Sequence, residues 1–460
     1  MTPAGGIHDE RLRLLNRRGV RENGQYVLYW MQQSQRAHGN HALEMAILEA
    51  NRLGRPLLVA FGLMTDCPEA SARHYAFMLE GLAEVQQSLQ ERGIAFVMRA
   101  GSPDEVAIEL AREAAVVVCD RGYLRQQRRW RRHLARAATC RVIEVEGDVV
   151  VPLAVASNKA EYAARTIRPK IERQIDNFLV HPEEQQLGID SRALDVRGDL
   201  DPADPEALLA SLELDRSVMP VTNWRGGLSE ARRRLAVFVD ERLADYDEGR
   251  SEPAAMTVSM LSPYLHFGQI SPIEVALAVR REKAVGERHR KTFVEELVVR
   301  RELSCNFVYH HPHYDSYRGL PQWARATLDR HRGDAREHRY TRRELEAAAT
   351  HDRYWNAAMR DMKATGYLHN TLRMYWGKQI IKWCNTPEYA WQTAIHLNNR
   401  YFLDGRDPNS WTGISWLFGL HDRPWQEREV LGTVRTMTSG GLDRKYDMQA
   451  YLDYVDGLDQ

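Results

Sequence analysis

Residues 56–92 read PLLVAFGLMTDCPEASARHYAFMLEGLAEVQQSLQER, and two periodicities lie side by side in them. Pro56–Gly62 is a short, continuous apolar run, the pattern of a strand covered on both faces. From Ser71 to Arg92 the apolar residues Tyr75, Met78, Leu79, Leu82, Val85 and Leu89 recur at helical intervals, the stripe of an amphipathic helix. The same alternation extends in both directions. Further strands are expected at Tyr26–Trp30, Ile94–Met98, Ala115–Cys119 and Val142–Val145. Ser102 is placed to cap a helix that buries Val106, Ile108 and Leu110. This pattern predicts an α/β N-terminal domain on a five-stranded parallel, Rossmann-like sheet. No GxGxxG follows the first strand, so a standard dinucleotide site is not supported there.

Beyond the sheet the texture changes. Residues from about 190 to 225 are rich in Asp, Pro and Ser and read as a connector. From Ser229, read as a capping serine, the pattern is helical almost to the end. Helices are expected over Ser229–Tyr246, Pro272–Lys283, Lys291–Tyr309, Arg342–Thr365, Leu368–Cys384 and Pro387–Asn399. The organisation expected is an α/β domain over 1–188, a linker over 189–228 and an all-α domain over 229–460.

Bulk composition narrows the function. The 460 residues carry 63 basic and 63 acidic side chains, which excludes a protein that coats nucleic acid by net charge but permits a local basic patch. No apolar run reaches the roughly 20 residues of a membrane helix, and no secretory h-region opens the chain. The five cysteines are scattered and read as reduced thiols of a cytoplasmic protein. No metal-ligand spacing is present. Seven of the 11 tryptophans lie between Trp355 and Trp425.

Five blocks carry a resemblance. They are LSPYLHFG at 261–268, EELVVRREL at 295–303, HNTLRMYW at 369–376, YFLDGRDPN at 401–409 and EYAARTIRPKI at 161–171. The first four resemble the flavin-binding domain of photolyases and cryptochromes. The last, with RMYW and DGRDPN, resembles class II photolyases in particular. The blocks occur in the family's order, and the likeness extends over nearly the whole chain.

The resemblance implies an all-α FAD-binding domain and light-driven repair of cyclobutane pyrimidine dimers in DNA by a monomeric enzyme. Tyr246, Ser259, Leu261, Ser262, Arg300, Asn370, Arg373, Asn398, Asp404 and Arg406 match cofactor-binding positions. Ser262-Pro263 suits a diphosphate at a helix start, although read as residues alone it is simply a helix start. Arg373 and Asp404 match an ion pair beside the flavin ring. Asn398 matches an amide at flavin N5; its plain alternative is a helix C-cap. Glu296 matches the carboxyl that hydrogen-bonds the dimer, and burial that raises its pKa is expected there. Arg250, Met374 and Trp416 match lesion contacts, while Arg423, Trp425 and Arg435 form an aromatic-interleaved basic surface for phosphates.

Trp376 and Trp383 lie seven residues apart, on one helix face. They match a relay with Trp376 near the flavin, Trp355 in the middle, Trp383 outermost and Tyr340 as a further redox-active aromatic. An aromatic core stripe is the plain alternative. The seven arginines of Arg121–Arg136 read mainly as a solvated helix face. An antenna pigment, deazaflavin or folate, is expected at the carboxyl ends of the strands. The chain departs from the family pattern at Asn370, at Ser304-Cys305 and at Asn409-Ser410-Trp411. Two other activities are kept in view: a cryptochrome-like blue-light photoreceptor without repair, and specificity for (6-4) photoproducts, which would use a histidine pair such as His369 and His421.

Overall fold

The computed structural model describes residues 4–458. The sheet has six strands: β1 (Leu12–Leu14), β2 (Tyr26–Trp30), β3 (Leu57–Leu63), β4 (Ala95–Ala100), β5 (Ala114–Asp120) and β6 (Arg141–Val145), in the order β1-β6-β5-β2-β3-β4. The five expected strands are present and parallel. The expectation of a wholly parallel five-stranded sheet is corrected by β1, which pairs antiparallel with β6. Its three residues are too few to show a strand pattern, and two of them are exposed.

β2, β3 and β5 are buried along their whole length, because helices cover both faces. Helix α1 (His41–Leu53) packs Ala42, Leu43, Ala46 and Ile47 on one face. Helix α2 (Ala72–Glu91) adds Val85 and Leu89 to that core. Helices α3 (Pro103–Ala111) and α4 (Arg125–Ala137) supply Val106, Ala107, Leu110 and Leu134 on the other. Strand order reverses at β2 and β5, which opens a crevice at their carboxyl ends. Asp120 pins that crevice: its carboxylate accepts from the backbone N–H groups of Gln32, Gln33 and Ser34 and from Arg131 at 2.6 Å.

The region 189–228 is not a free tether. It contains a helix, Pro205–Ser211, whose Leu208 is buried with Leu79 and Leu82 of α2. Residues between Val150 and Leu179 share their core with the helical half, including Phe238, Tyr264 and Val298. The two halves touch closely. A Cβ on Gly226 would lie 1.9 Å from the carbonyl oxygen of Phe77, so only glycine fits there. Buried Arg73 of α2 donates to the carbonyls of Met362 and Tyr401, in the last turns of two helices of the other half.

In the helical half, the helix expected to start at capping Ser229 begins instead at Leu228 after Gly227. Its first amides are satisfied from outside, because Glu84 of α2 accepts from the N–H of Ser229 at 2.9 Å. The continuous helix expected over Lys291–Tyr309 holds a π-helical turn, Glu295–Arg300, between Glu287–Val294 and Arg301–His310. The later helices of at least ten residues are Arg353–Thr365, Asn370–Trp383, Pro387–Tyr401, Pro408–Leu417 and Met448–Gly457. No helix among the described residues is long and apolar enough to cross a membrane.

Candidate active site

The helices of the second half enclose a cavity of about 580 Å³. Each wall has a local cause. The π-turn inserts one extra residue per turn into an otherwise α-helical rod, and such turns are frequent at functional sites because they re-aim side chains. Glu296, Leu297 and Arg300 line the cavity from this turn. Pro263 starts the one-turn helix Ser262–His266, which contributes Ser262, Leu265 and His266. The helix Asn370–Trp383 contributes Asn370, Arg373, Met374 and Trp376.

Of the ten expected cofactor residues, Tyr246, Ser259, Ser262, Arg300, Asn370, Arg373, Asn398 and Asp404 line this cavity. Leu261 does not; it is 1% exposed and sits at the start of the short helix. Arg406 does not either, which corrects its expected place. Its backbone is left-handed, with φ of 63°, and its guanidinium turns back to the carbonyl of Asn399 at 2.6 Å. The side chain lines a different cavity.

Arg373 is held from three sides. It donates to both oxygens of Asp404 at 3.0 Å and to the carbonyl of Leu368 at 2.9 Å, and it lies 3.9 Å over the ring of Phe402. A guanidinium with this many partners keeps its orientation, so the pair is a fixed dipole in the wall. Asn398 is 4% exposed and lies inside the helix Pro387–Tyr401, so it is not the C-cap. Tyr246 packs edge-on to Phe293 and Phe238, and burial followed by the charge of Glu296 raises its pKa.

Glu296 departs from expectation. Its side chain is 38% exposed and pairs with Arg250 at 2.8 Å, so the burial expected of it is absent. It stands in the first part of the π-turn and lines the cavity from a part-exposed position. Met374 and Trp416 line the same cavity, with Arg300 lying 5.5 Å over the Trp416 ring. His369 and His421 do not line it. Burial lowers both to about 4, so each is neutral at pH 7.

Trp355, Trp383 and Tyr340 are linked ring to ring, and Trp355 joins Trp376 through a hydrogen bond to its backbone. Trp376 is in the cavity wall, and its carbonyl accepts from Trp355 Nε1 at 2.9 Å. The rings of Trp355 and Trp383 are 5.5 Å apart, and those of Trp383 and Tyr340 are 5.4 Å apart. Trp383, expected outermost, is only 5% exposed. Tyr340 is the part-exposed end, with its hydroxyl 2.8 Å from His351 Nδ1.

Several cavity residues escaped the sequence reading. Arg301 and Asp407 both line the cavity and sat inside blocks already quoted, the second Arg of VVRREL and the second Asp of DGRDPN. Burial pushes Asp407 up, but His266 at 3.2 Å and Arg301 outweigh it and hold the carboxyl below its usual range. Among the departures from the family pattern, Asn370, Ser304, Asn409 and Ser410 line the cavity, whereas Cys305 is 2% exposed.

A second cavity of about 690 Å³ opens at the carboxyl ends of β2, β3 and β5, lined by Gln32, Met64, Tyr75, Trp130, Arg406 and Trp411 among others. On the surface, Trp425 is 42% exposed and lies between Arg423 at 5.5 Å and Arg435 at 5.0 Å. Four of the seven arginines of the Arg121–Arg136 run, Arg125, Arg129, Arg132 and Arg136, are exposed, as expected of a solvated face, but the run also makes inward and interdomain contacts. Arg121 and Arg131 form buried pairs with Glu146 and Asp120, and Arg125 and Arg128 bind the carbonyls of Pro312 and Tyr309 in the helical half.

The DNA photolyase family model matches residues 27–186. A protein of Methanothermobacter thermautotrophicus named deoxyribodipyrimidine photo-lyase is 46% identical, the match covering 98% of this chain and 99% of that one. A class III photolyase from Agrobacterium tumefaciens superposes with a TM-score of 0.73 at 19% identity, covering 94% of this chain and 86% of that one. An archaeal photolyase from Sulfolobus tokodaii, solved with two FAD molecules, gives 0.68 at 17% identity, covering 93% and 88%. Identity sustained across the whole of both chains decides the matter: this chain belongs to the deoxyribodipyrimidine photo-lyase family of enzymes.

Proposed function

We propose that this chain is a class II photolyase that holds FAD in the 580 Å³ cavity and splits cyclobutane pyrimidine dimers in DNA under light. One observation carries the reading. The fixed Arg373–Asp404 pair, Asn398 and the inner end of the aromatic path share a single cavity with Glu296, Met374 and Trp416. A photoreceptor needs the first set only; a repair enzyme needs both.

The residues present fit a flavin. The indole Nε1 of Trp376 is buried without a hydrogen-bond partner among the described residues, and its side chain lines the cavity. Arg373, Asp404, Asn398, Tyr246, Ser259 and Ser262 would hold the group. Reduced FAD, when bound, supplies the excited electron that opens the cyclobutane ring and receives it back.

The remaining work falls to the chain. Extruding a damaged nucleotide, the strategy photolyases share with other base-acting enzymes, costs a few kcal/mol. Stacking on Trp416 offsets about 1–3 kcal/mol of that cost per base. At the mouth, Arg250 and Glu296 bond to each other at 2.8 Å and stay part-exposed, so an entering lesion meets a donor and an acceptor already aligned. A guanidinium donor aimed at a pyrimidine carbonyl stabilises negative charge arriving there. The path Trp376–Trp355–Trp383–Tyr340 conducts an electron between the surface and the cavity wall. Trp425, with Arg423 and Arg435, binds phosphates beside the lesion as a basic patch on a chain of zero net charge. The second cavity takes the antenna pigment, a deazaflavin or a folate. The enzyme acts as a cytoplasmic monomer.

The test is spectral and enzymatic. Purified protein is expected to carry FAD, to photoreduce, and to repair a dimer-containing oligonucleotide in light only. Glu296→Ala is expected to retain flavin and lower the quantum yield of repair. Repair in darkness, or bound flavin with no repair in light, would reject the reading; unchanged yield in Glu296→Ala would remove that residue from its role.

A further inference from the structure

Asn398 is tied on its inner side to a hydrogen-bond chain that leads out of the cavity. Its Nδ2 donates to Asn399 Oδ1 at 3.1 Å. The same Oδ1 accepts from the backbone N–H of Arg406 at 2.9 Å, and Asn399 Nδ2 donates to Glu69 Oε2 at 2.7 Å. Glu69 belongs to the loop after β3, and its other oxygen lies 3.2 Å from His396 Nδ1.

Donor and acceptor chemistry leaves this chain one arrangement. A backbone N–H only donates, so the oxygen of Asn399 must face Arg406. A carboxylate only accepts, so the nitrogen of Asn399 must face Glu69. The oxygen presented to Asn398 then requires a donor, which is the Asn398 nitrogen. The Asn398 oxygen is left without a protein donor among the described residues, and the side chain lines the cavity.

We propose that Glu69 and Asn399 are positioning residues that lock the Asn398 amide with its carbonyl oxygen towards the cavity, where it accepts from a ligand N–H and favours the reduced flavin. This rests on the flavin reading above. The ring nitrogen facing such an amide is a bare acceptor in oxidised flavin and an N–H donor in reduced flavin. An amide free to flip would serve either state; a locked one serves the reduced state alone. Asn399 is 1% exposed and Gly405 packs against its backbone, which keeps the lock rigid.

The test is the midpoint potential of the two-electron couple in the flavin-loaded protein. Asn399→Leu removes the lock. The reduced-to-oxidised ratio at fixed potential should fall about tenfold, equivalent to about 30 mV. The double variant Glu69→Gln/Asn399→Asp reverses the polarity of the outer bond while keeping an acceptor for Asn398 and Arg406, so its potential should stay close to that of the parent. Glu69→Ala, at a part-exposed position, should give a smaller fall and supplies the readout if Asn399→Leu loses flavin. A parental potential in both single variants, or a double variant as low as Asn399→Leu, would overturn the proposal. A parent protein that binds no flavin would instead sink the functional reading beneath it.

Discussion

Asp361 gives the most quantitative prediction. It lies on the helix Arg353–Thr365, which carries Trp355, and is 4% exposed. Its carboxyl accepts from Tyr451 Oη at 2.9 Å and from Thr365 Oγ1 at 3.1 Å, which fastens the helix Met448–Gly457 onto its own. Burial raises its pKa from 3.8 to about 7, against the smaller opposing effect of the hydroxyls of Tyr451, Thr365 and Tyr454. Between those two values the folded protein holds a proton that the unfolded chain has released. Stability therefore falls with rising pH across that window, by about 1.4 kcal/mol per pH unit. The contribution is fully present below pH 3.8 and is lost by about pH 7, a total of about 4 kcal/mol.

Asp361→Asn removes the titration while keeping the shape. Urea denaturation of both proteins, followed by tryptophan fluorescence, isolates the effect as a difference of differences. Between pH 5 and pH 8 the parent should lose about 3 kcal/mol relative to the variant. Hydrogen exchange should show the loss first in Met448–Gly457. A difference that stays constant with pH would refute the reasoning, because it would mean that Asp361 is charged in the folded state throughout.

Three further outcomes follow from other parts of the molecule. Trp383→Phe removes the indole that lies 5.5 Å from Trp355 and 5.4 Å from Tyr340, so photoreduction should slow by at least an order of magnitude while chemically reduced protein repairs normally. Arg131→Met takes the 2.6 Å charge partner from buried Asp120 and leaves its carboxylate only the backbone N–H groups of Gln32, Gln33 and Ser34, which should cost about 3 kcal/mol in chemical denaturation. Arg423→Ala and Arg435→Ala should each weaken binding to damaged and undamaged duplex alike and reduce the slope of log affinity against log salt by about 1.

The parts of this fold written in periodicity were legible, and the parts written in single contacts were not. The parallel strands and the long helices announced themselves because burial repeats along them. β1 gave no signal, since three residues cannot show a period. The helix expected over Arg342–Thr365 is broken, and the break is made by two caps rather than by a loss of apolar pattern. Thr341 caps Arg342–Glu346; Ala348 turns left-handed with φ of 55°; Asp352 then restarts the helix by accepting from the N–H groups of Tyr354 and Trp355. At the candidate site the same division holds. Arg373, Asp404 and Asn398, expected to act together, line one cavity. Arg406 does not, because two residues beyond Asp404 the backbone turns left-handed and sends the side chain the other way.

That turn bears on how the two cavities relate. Asn398 and Asp404 line one cavity, while Asn399 and Arg406 line the other, and His266 lines both. The partition between the cavities is thus made of neighbouring residues in the chain, joined through the Asn399 side chain and the backbone of Arg406. A partition this thin cannot be altered on one face alone. Replacing Asn399 or Glu69 to change what the second cavity binds must also disturb the amide that faces the first. On the proposed reading, pigment binding and flavin potential are therefore coupled properties, and variants selected for one should be found to have shifted the other.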